Sequence, residues 1–186
     1  MDEKKTKTRT TPIKRLVIGD IDGVVADCSN RLEYLKDKNW DKFYGAEMAN
    51  DEYIKINGDL LLKLSVHEYA QLVFLTGRPE RTQELTRLWL NEHLEDADWW
   101  ITCRRDGDHR KSSVVKAEMM SSFLTSYESI FDENMTIYIF DDDPVNLIEM
   151  KKVVEKFMET TRANRRPAPN YTWETFCVGT ERIKND

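Results

Sequence analysis

The sequence has few of the features that mark secreted or membrane proteins. Its three cysteines, Cys28, Cys103 and Cys177, are odd in number and widely spaced, so they indicate reduced thiols rather than a disulfide framework or a zinc site. No apolar run approaches the roughly 18 residues that a membrane helix needs. The first 15 residues lack the apolar core of a secretory signal. We therefore expect a cytoplasmic protein with no membrane partner.

Positive charge is also scarce. The 186-residue chain has a formal net charge of −6 at pH 7, with 40% hydrophobic and 33% charged residues. Residues 1–15 hold six Lys/Arg and two Asp/Glu, a net +4, which leaves −10 for the rest of the chain. Because proteins that wrap nucleic acid are basic, any such contact here should be local. We predict a flexible basic tail over residues 1–14 and a single domain over 15–186.

Short apolar segments alternate with helical patterns along this domain. The first, "RLVIG" at 15–19, is apolar without alternation, as expected of a parallel strand covered on both faces. Further strands are predicted at 71–75, 98–102, 136–140 and 175–179, and helices at 79–94, 112–124 and 143–161. This alternation predicts an α/β fold with a central parallel sheet.

Helix signals refine two of these predictions. Pro79 suits the first turn of its helix, with Leu85, Leu88 and Trp89 on one stripe. Asp143 is expected to cap the last helix, with Pro144 at its first position.

A small cap is predicted between the first two strands, at about residues 29–56. Aromatic residues in this segment, Tyr34, Trp40, Phe43 and Tyr44, favour two short helices. A small cap leaves an open cleft, which suits large substrates without excluding small ones.

Carboxylates follow two of the predicted strands. Asp20 and Asp22 follow the first strand, and Asp141 and Asp142 follow the "TIYIF" strand at 136–140. Two charges at i and i+2 of an extended chain, about 6–7 Å apart, repel by about 3 kcal/mol at a dielectric near 20. A retained proton on one Asp would relieve this repulsion, and so would bound Mg²⁺, which prefers oxygen ligands. The alternative is a tight turn at Gly23 with exposed carboxylates and no bound ion.

The same carboxylates can carry phosphoryl chemistry. With a phosphoryl group at such a metal, Asp20 can attack as nucleophile, while Asp22 protonates the leaving oxygen and then activates water. Thr76 and Gly77, after the second strand, offer a hydroxyl and backbone N–H groups to a phosphate, although a simple turn before a helix is the alternative. Lys116 is predicted in the first turn of its helix, where a cation opposes the macrodipole by roughly 0.3–1 kcal/mol. A lysine at this position is best explained by an anion that it neutralises. Lys111 is the alternative residue for this role.

Taken in order, these residues resemble the four motifs of the haloacid dehalogenase (HAD) superfamily of phosphohydrolases. The motifs are Asp20-Ile-Asp22-Gly23, Thr76-Gly77-Arg78, Lys116 and Asp141-Asp142. Longer stretches such as "LTGRPERTQELTRLWL" and "DGDHRKSSVVKAEM" resemble the 3′-phosphatase domain of bacteriophage polynucleotide kinase/phosphatase.

The resemblance implies a Rossmann-like (HAD-type) three-layer sandwich with a small helical cap and a Mg²⁺ cofactor. It also implies that Arg31 and Arg78 bind phosphate and that the backbone carbonyl of Asp22 is a metal ligand. The chain departs from the family pattern at Val24, where the superfamily commonly has Thr, and at Ser112, where the phage-like domain has a required Asp. The family's C-terminal signature after the last strand is not recognisable. No "GxxxxGK[ST]" loop occurs, so ATP-dependent phosphorylation is not expected.

Three functions remain open. The first is a Mg²⁺-dependent phosphomonoesterase that forms an aspartyl-phosphate and removes 3′-phosphates from nucleic acid ends or nucleotides. The basic stretch "RRDGDHRK" (104–111) favours it, although this stretch is equally typical of a solvated loop, and His109 reads as a surface residue. The second is a 5′-nucleotidase-type or other small-molecule phosphatase, which the acidic charge favours. The third is an idle HAD scaffold that serves as a binding module. No obligate protein partner is inferred.

Overall fold

Five parallel strands form the centre of the protein in a computed structural model that describes residues 11–94, 97–164 and 168–178. The strands span β1 Ile13–Gly19, β4 Ala70–Pro79, β5 Trp99–Arg104, β6 Phe131–Asp141 and β7 Thr172–Cys177. Their order in the sheet is β5-β4-β1-β6-β7, and every neighbouring pair is parallel. The predicted α/β fold with a central parallel sheet is confirmed.

Helices cover both faces of this sheet. Helices α3 (Lys55–Ser65) and α4 (Gln83–His93) pack on one face, and α5 (Ser112–Tyr127) and α6 (Pro144–Asn164) pack on the other. The result is a three-layer α/β sandwich with an apolar core on each side of the sheet.

The central position of β1 in the sheet explains why its sequence does not alternate between apolar and polar residues. Successive side chains of a strand point to opposite faces. Leu16 and Ile18 belong to the core against α5 and α6, and Val17 belongs to the core against α3 and α4. Because both faces are covered by helices, every position of "LVI" is buried.

Several predicted boundaries shift. Strand β1 begins at Ile13 rather than at residue 15, and β6 begins at Phe131 rather than at 136. Strand β7 is Thr172–Cys177, whereas the prediction was 175–179, of which residue 179 lies outside the described residues. Residues 1–10 of the predicted tail also lie outside them. Among the described residues, no disulfide links Cys28, Cys103 or Cys177.

The start of helix α4 was wrongly predicted. Pro79 ends β4, and a 3₁₀ turn over Glu80–Thr82 precedes the helix. The predicted stripe was also wrong at one position, because Leu88 is 59% exposed. Thr86 is buried instead, since its hydroxyl donates to the Thr82 carbonyl at 3.0 Å and leaves no unsatisfied polar group.

The segment between β1 and α3 contains the two short helices that were expected, α1 (Glu33–Lys36) and α2 (Trp40–Phe43). A short antiparallel pair of strands, β2 (Ala26–Asp27) and β3 (Glu52–Tyr53), joins the two ends of this segment. Among the described residues, none of the helices has the length and apolar character to cross a bilayer.

Candidate active site

The carboxyl ends of three neighbouring strands meet at one edge of the sheet. The chain places β4 on one side of β1 and β6 on the other, so the strand order reverses beside β1. Such a switch point leaves a crevice at the carboxyl ends of the strands. Asp20 directly follows β1, Thr76 lies near the end of β4, and Asp141 ends β6.

An acidic cluster occupies this crevice. Carboxylate oxygens of Asp20, Asp141 and Asp142 lie within 4.8 Å of one another. Asp141 is held in place by its Oδ1, which accepts hydrogen bonds from Asn146 Nδ2 and from the Asp143 backbone N–H, each at 2.9 Å. The cluster therefore brings together three of the four predicted metal-binding aspartates.

Lys116 bridges two members of the cluster. Its Nζ lies 2.7 Å from Asp20 Oδ2 and 2.6 Å from Asp141 Oδ2, and the side chain is buried. Burial lowers the pKa of Lys116, but the attraction of the two carboxylates outweighs it and holds the pKa above its usual value. The alternative residue, Lys111, is exposed.

Lys116 does not lie in the first turn of its helix. Helix α5 begins at Ser112, so Lys116 is its fifth residue and starts the second turn. The macrodipole acts mainly on the terminal turn. The two carboxylates that Lys116 contacts therefore account for a buried cation at this position.

The negative charge of the Asp20 carboxylate is only partly balanced by Lys116. Burial, together with the charges of Asp141 and Asp22, raises its pKa to about 7 against the opposing effect of Lys116. Its Oδ1 is buried and has no hydrogen-bond partner among the described residues. Three clustered carboxylates, two of which contact one ammonium group, leave one oxygen unsatisfied and fit a divalent cation. Asp20, Asp141 and Asp142 could therefore hold a metal ion.

Asp22 points away from this cluster and towards two arginines. Its Oδ1 accepts bonds from Arg31 Nη2 at 2.5 Å and from Arg78 Nη2 at 2.6 Å and Nε at 3.1 Å. Burial raises the pKa of Asp22, but the two guanidinium groups outweigh it and hold the pKa below its usual value. The carboxylate of Asp22 is not part of the acidic cluster, and the metal-binding role of its backbone carbonyl stays a prediction.

Asp51 completes a buried network of two arginines and two carboxylates. Its Oδ1 accepts from Arg31 Nε at 2.8 Å, and its Oδ2 accepts from Arg31 Nη2 at 2.6 Å and Arg78 Nη2 at 2.7 Å. Arg31 also donates to the Phe43 carbonyl at 2.8 Å. Both arginines are fully buried, so in this structure they orient Asp22, and their binding of phosphate stays a prediction.

Asp51 was missed by the sequence reasoning. It lies in "ANDEYIK", between residues that are mostly exposed, and nothing local distinguishes its carboxylate from those of a solvated loop. Only the tertiary contact with Arg31 and Arg78 reveals its role. Asn146, which orients Asp141 from five positions further along the chain, was also missed.

Gly23 permits the close approach of two motifs. Its φ of 81° lies in the left-handed region that favours glycine. A Cβ at this position would lie 2.4 Å from Asp142 Oδ2. The glycine therefore provides the turn after Asp22 and also the space that Asp142 occupies.

Of the Thr76-Gly77-Arg78 motif, Gly77 is the residue that borders the site. Thr76 is fully buried, and its Oγ1 accepts a bond from the Arg78 backbone N–H at 3.2 Å. Gly77 lies close to the Tyr44 hydroxyl and the Ser112 Oγ, and it borders a cavity. Thr76 therefore shapes the loop, and its binding of phosphate stays a prediction.

A cavity of about 400 Å³ opens above the acidic cluster. One wall is polar, and Asp20, Asp22, Lys116, Asp142 and Asn146 contribute to it. The opposite wall comes from the cap segment and is apolar and aromatic: Leu32, Leu35, Trp40, Phe43 and Tyr44. The predicted N-cap Asp143 borders the cavity and also caps α6, since its Oδ1 accepts from the Val145 N–H at 2.8 Å.

The two departures from the family pattern lie in different places. Val24 is fully buried in the core beside α3, where a methyl group packs in place of a hydroxyl. Ser112 is the first residue of α5 and borders the cavity, so its missing carboxylate falls within the site itself.

The basic stretch over residues 104–111 is partly used to hold its own loop together. Arg104 Nη1 donates to the carbonyls of Asp108 and Arg110. Arg110 pairs with the carboxylates of Asp108 and Glu118. Arg105, His109 and Lys111 are exposed. These residues are left as candidates for contact with a ligand.

The parallel sheet and the carboxylate cluster at its strand ends are consistent with the class of HAD-type domains. A family model described as "Polynucleotide kinase PNKP phosphatase domain" matches residues 14–155, which is most of the chain. The protein therefore belongs to this family, and the predicted resemblance is confirmed.

Two solved structures share the fold. One is described as "Structure of Pnkp1/Rnl/Hen1 complex", with a TM-score of 0.52 and 16% identity over 94% of this chain and 51% of that chain. The other is described as "Structure of the Pnkp1/Rnl/Hen1 RNA repair complex", with a TM-score of 0.56 and 18% identity over 94% and 47%. The protein spans about half the length of these chains. No curated protein matches the sequence.

Proposed function

We propose that the protein is a phosphomonoesterase that removes 3′-phosphates from nucleic acid ends or nucleotides. The observation that carries this proposal is the pairing of two differently held carboxylates at one cavity. Asp20 lies beside Lys116 in the acidic cluster, and Asp22 is held by two arginines. Family membership supports the choice of phosphate esters as substrates.

The nucleophile is Asp20. A carboxylate oxygen of Asp20 forms a bond to phosphorus as the ester P–O bond breaks, which yields an aspartyl-phosphate and releases the substrate's hydroxyl. Lys116 holds Oδ2 of this carboxylate, so its orientation is constrained before the reaction begins. Mg²⁺, held by Asp20, Asp141 and Asp142, would supply positive charge to the phosphoryl oxygens.

Asp22 is the general acid and base. All of its hydrogen bonds within the described part of the chain fall on Oδ1, which leaves Oδ2 for proton transfer at the cavity. Without substrate the arginines favour the carboxylate. An incoming phosphate brings negative charge, which raises the pKa of Asp22 and favours the acid. Asp22 then gives its proton to the leaving oxygen and takes one from the water that hydrolyses the aspartyl-phosphate.

Two alternative functions differ from the proposed one in their substrate or in having no turnover. A nucleotidase would use the same chemistry on a free mononucleotide, and the net charge of −10 outside residues 1–15 favours it modestly. An idle scaffold would bind without turnover.

The test is phosphate release from a 3′-phosphorylated oligonucleotide, from 3′-AMP and from 5′-AMP, each with Mg²⁺ and with a chelator. We expect Mg²⁺-dependent release and the highest kcat/KM on the oligonucleotide. A preference for 5′-AMP would identify a nucleotidase. If no phosphate were released from any of the three esters, the idle-scaffold hypothesis would be favoured.

A further inference from the structure

The cap segment places an exposed aromatic surface beside the charged end of the cavity. Trp40 is 47% exposed although it borders the cavity. Its ring lies nearly parallel to that of Tyr44, with 18° between the planes and 6.2 Å between the centroids. Isolated exposed apolar residues are common on protein surfaces. Trp40 differs from them because the apolar side chains of Leu32, Leu35 and Phe43 line the same cavity.

Phe43, which lies between Trp40 and Tyr44 in the sequence, links this segment to the network around Asp22. The Phe43 carbonyl accepts a bond from Arg31, which in turn binds Asp22. The Arg31 guanidinium also lies 4.5 Å from the centroid of the Phe43 ring. Helix α2, which carries Trp40, is thereby tied to the network that orients Asp22.

Tyr44 links the aromatic surface to the second motif. A methyl group placed on Gly77 would lie 3.5 Å from the Tyr44 hydroxyl, so this side chain reaches from Trp40 to the loop that holds Thr76 and Arg78. A ligand whose phosphate lies at Asp20 and Lys116 therefore has an aromatic surface within the same cavity of about 400 Å³.

We infer that Trp40 and Tyr44 form a stacking subsite for the terminal nucleobase of the phosphorylated strand. The inference rests on the proposed function, because the phosphate position at Asp20 sets which part of the substrate reaches Trp40. A nucleotide carries a flat ring beside its phosphate, and stacking on aromatic side chains tolerates any base. A cavity of about 400 Å³ is of the size that holds one small molecule, so the terminal nucleoside is the part of the strand that it accommodates.

The test compares an oligonucleotide that ends in a normal 3′-phosphorylated nucleotide with one that ends in a 3′-phosphorylated abasic residue. Base stacking of this kind corresponds to about 5- to 150-fold in affinity. We expect wild-type kcat/KM to fall by about this factor on the abasic end, chiefly through KM. Trp40→Ala should lose this preference, and Trp40→Phe should keep most of it. Leu88→Ala is the matched control, because Leu88 is 59% exposed on α4 and does not border the cavity.

Three outcomes are distinguishable. Loss of the base preference in Trp40→Ala, with a larger fall in kcat/KM on the base-bearing end than on the abasic end, supports the subsite. Equal wild-type turnover of both ends, or equal losses on both in Trp40→Ala, overturns it while the proposed phosphatase stands. If wild-type protein hydrolyses neither end, the proposed function fails. The subsite is then overturned if the two oligonucleotides bind equally in fluorescence anisotropy, and supported if the base-bearing one binds more tightly and only Trp40→Ala abolishes the difference.

Discussion

Replacing Asp51 by Asn tests the buried network that orients Asp22. In the wild type the charges of Arg31, Arg78, Asp22 and Asp51 sum to zero, and the Arg31, Arg78 and Asp51 side chains are fully buried. The substitution keeps the shape of the side chain but leaves a net charge of +1. The amide NH₂ also faces at least one arginine N–H donor, because Asp51 accepts bonds on both oxygens.

The expected loss follows from this geometry. Removing one partner of a buried ion pair costs about 3–5 kcal/mol, because the other charge stays buried and unpaired. For a chain of this size each kcal/mol shifts Tm by about 2–4 °C, so we expect Tm to fall by about 6–20 °C. Turnover below the transition should fall as well, since Asp51 holds the two arginines that position Asp22.

The assay is thermal and urea unfolding followed by circular dichroism, with Asp41→Asn as the matched control. Asp41 also pairs with an arginine, Arg81 at 2.9 Å, but the Asp41 side chain is 94% exposed. Exposed pairs contribute about 0–1 kcal/mol, so the control should unfold close to the wild type. If Asp51→Asn were no less stable than Asp41→Asn, the buried network would not have the role assigned to it.

Two further predictions concern the candidate metal site. Gly23→Ala should weaken Mg²⁺ binding by about 10–100-fold in isothermal titration calorimetry, because its Cβ would displace Asp142. Gly107→Ala should bind Mg²⁺ normally, since Gly107 has a similar φ of 76° and no atom near its Cβ; equal affinities in the two variants would refute this. In chelator, Tm should fall as the pH rises from 5 to 8. The pKa of Asp20 is raised to about 7 in the folded protein, so the stability it contributes is complete below 3.8 and is lost through pH 7. Mg²⁺ should therefore raise Tm more at pH 8 than at pH 5, and the opposite trend would contradict the assignment.

The fold was predictable because its signals are local. The apolar run of β1 and the carboxylates that follow β1 and β6 are visible in the sequence, and parallel topology brings strand ends together. The Asp143 cap of α6 was predictable for the same reason, since it depends on residues two positions apart. The start of α4 was not, because a 3₁₀ turn and a helix have similar sequence preferences.

The partners within the site were less predictable. Asp51 and Arg78 are 27 residues apart, and nothing near either residue indicates the other. The exposure of Leu88 depends on which face of α4 packs against the sheet, where the hydroxyl of Thr86 is satisfied within its own helix. Such features arise from tertiary packing, which overrides local preference.

The most direct measurement is phosphate release from a 3′-phosphorylated oligonucleotide with Mg²⁺, by the wild type and by Asp20→Asn side by side. The carboxamide keeps the size of the side chain but cannot act as the nucleophile, so the variant should fold and release no phosphate. We predict turnover by the wild type alone. Substantial turnover by the pure Asp20→Asn protein, or none by the wild type, would contradict the account.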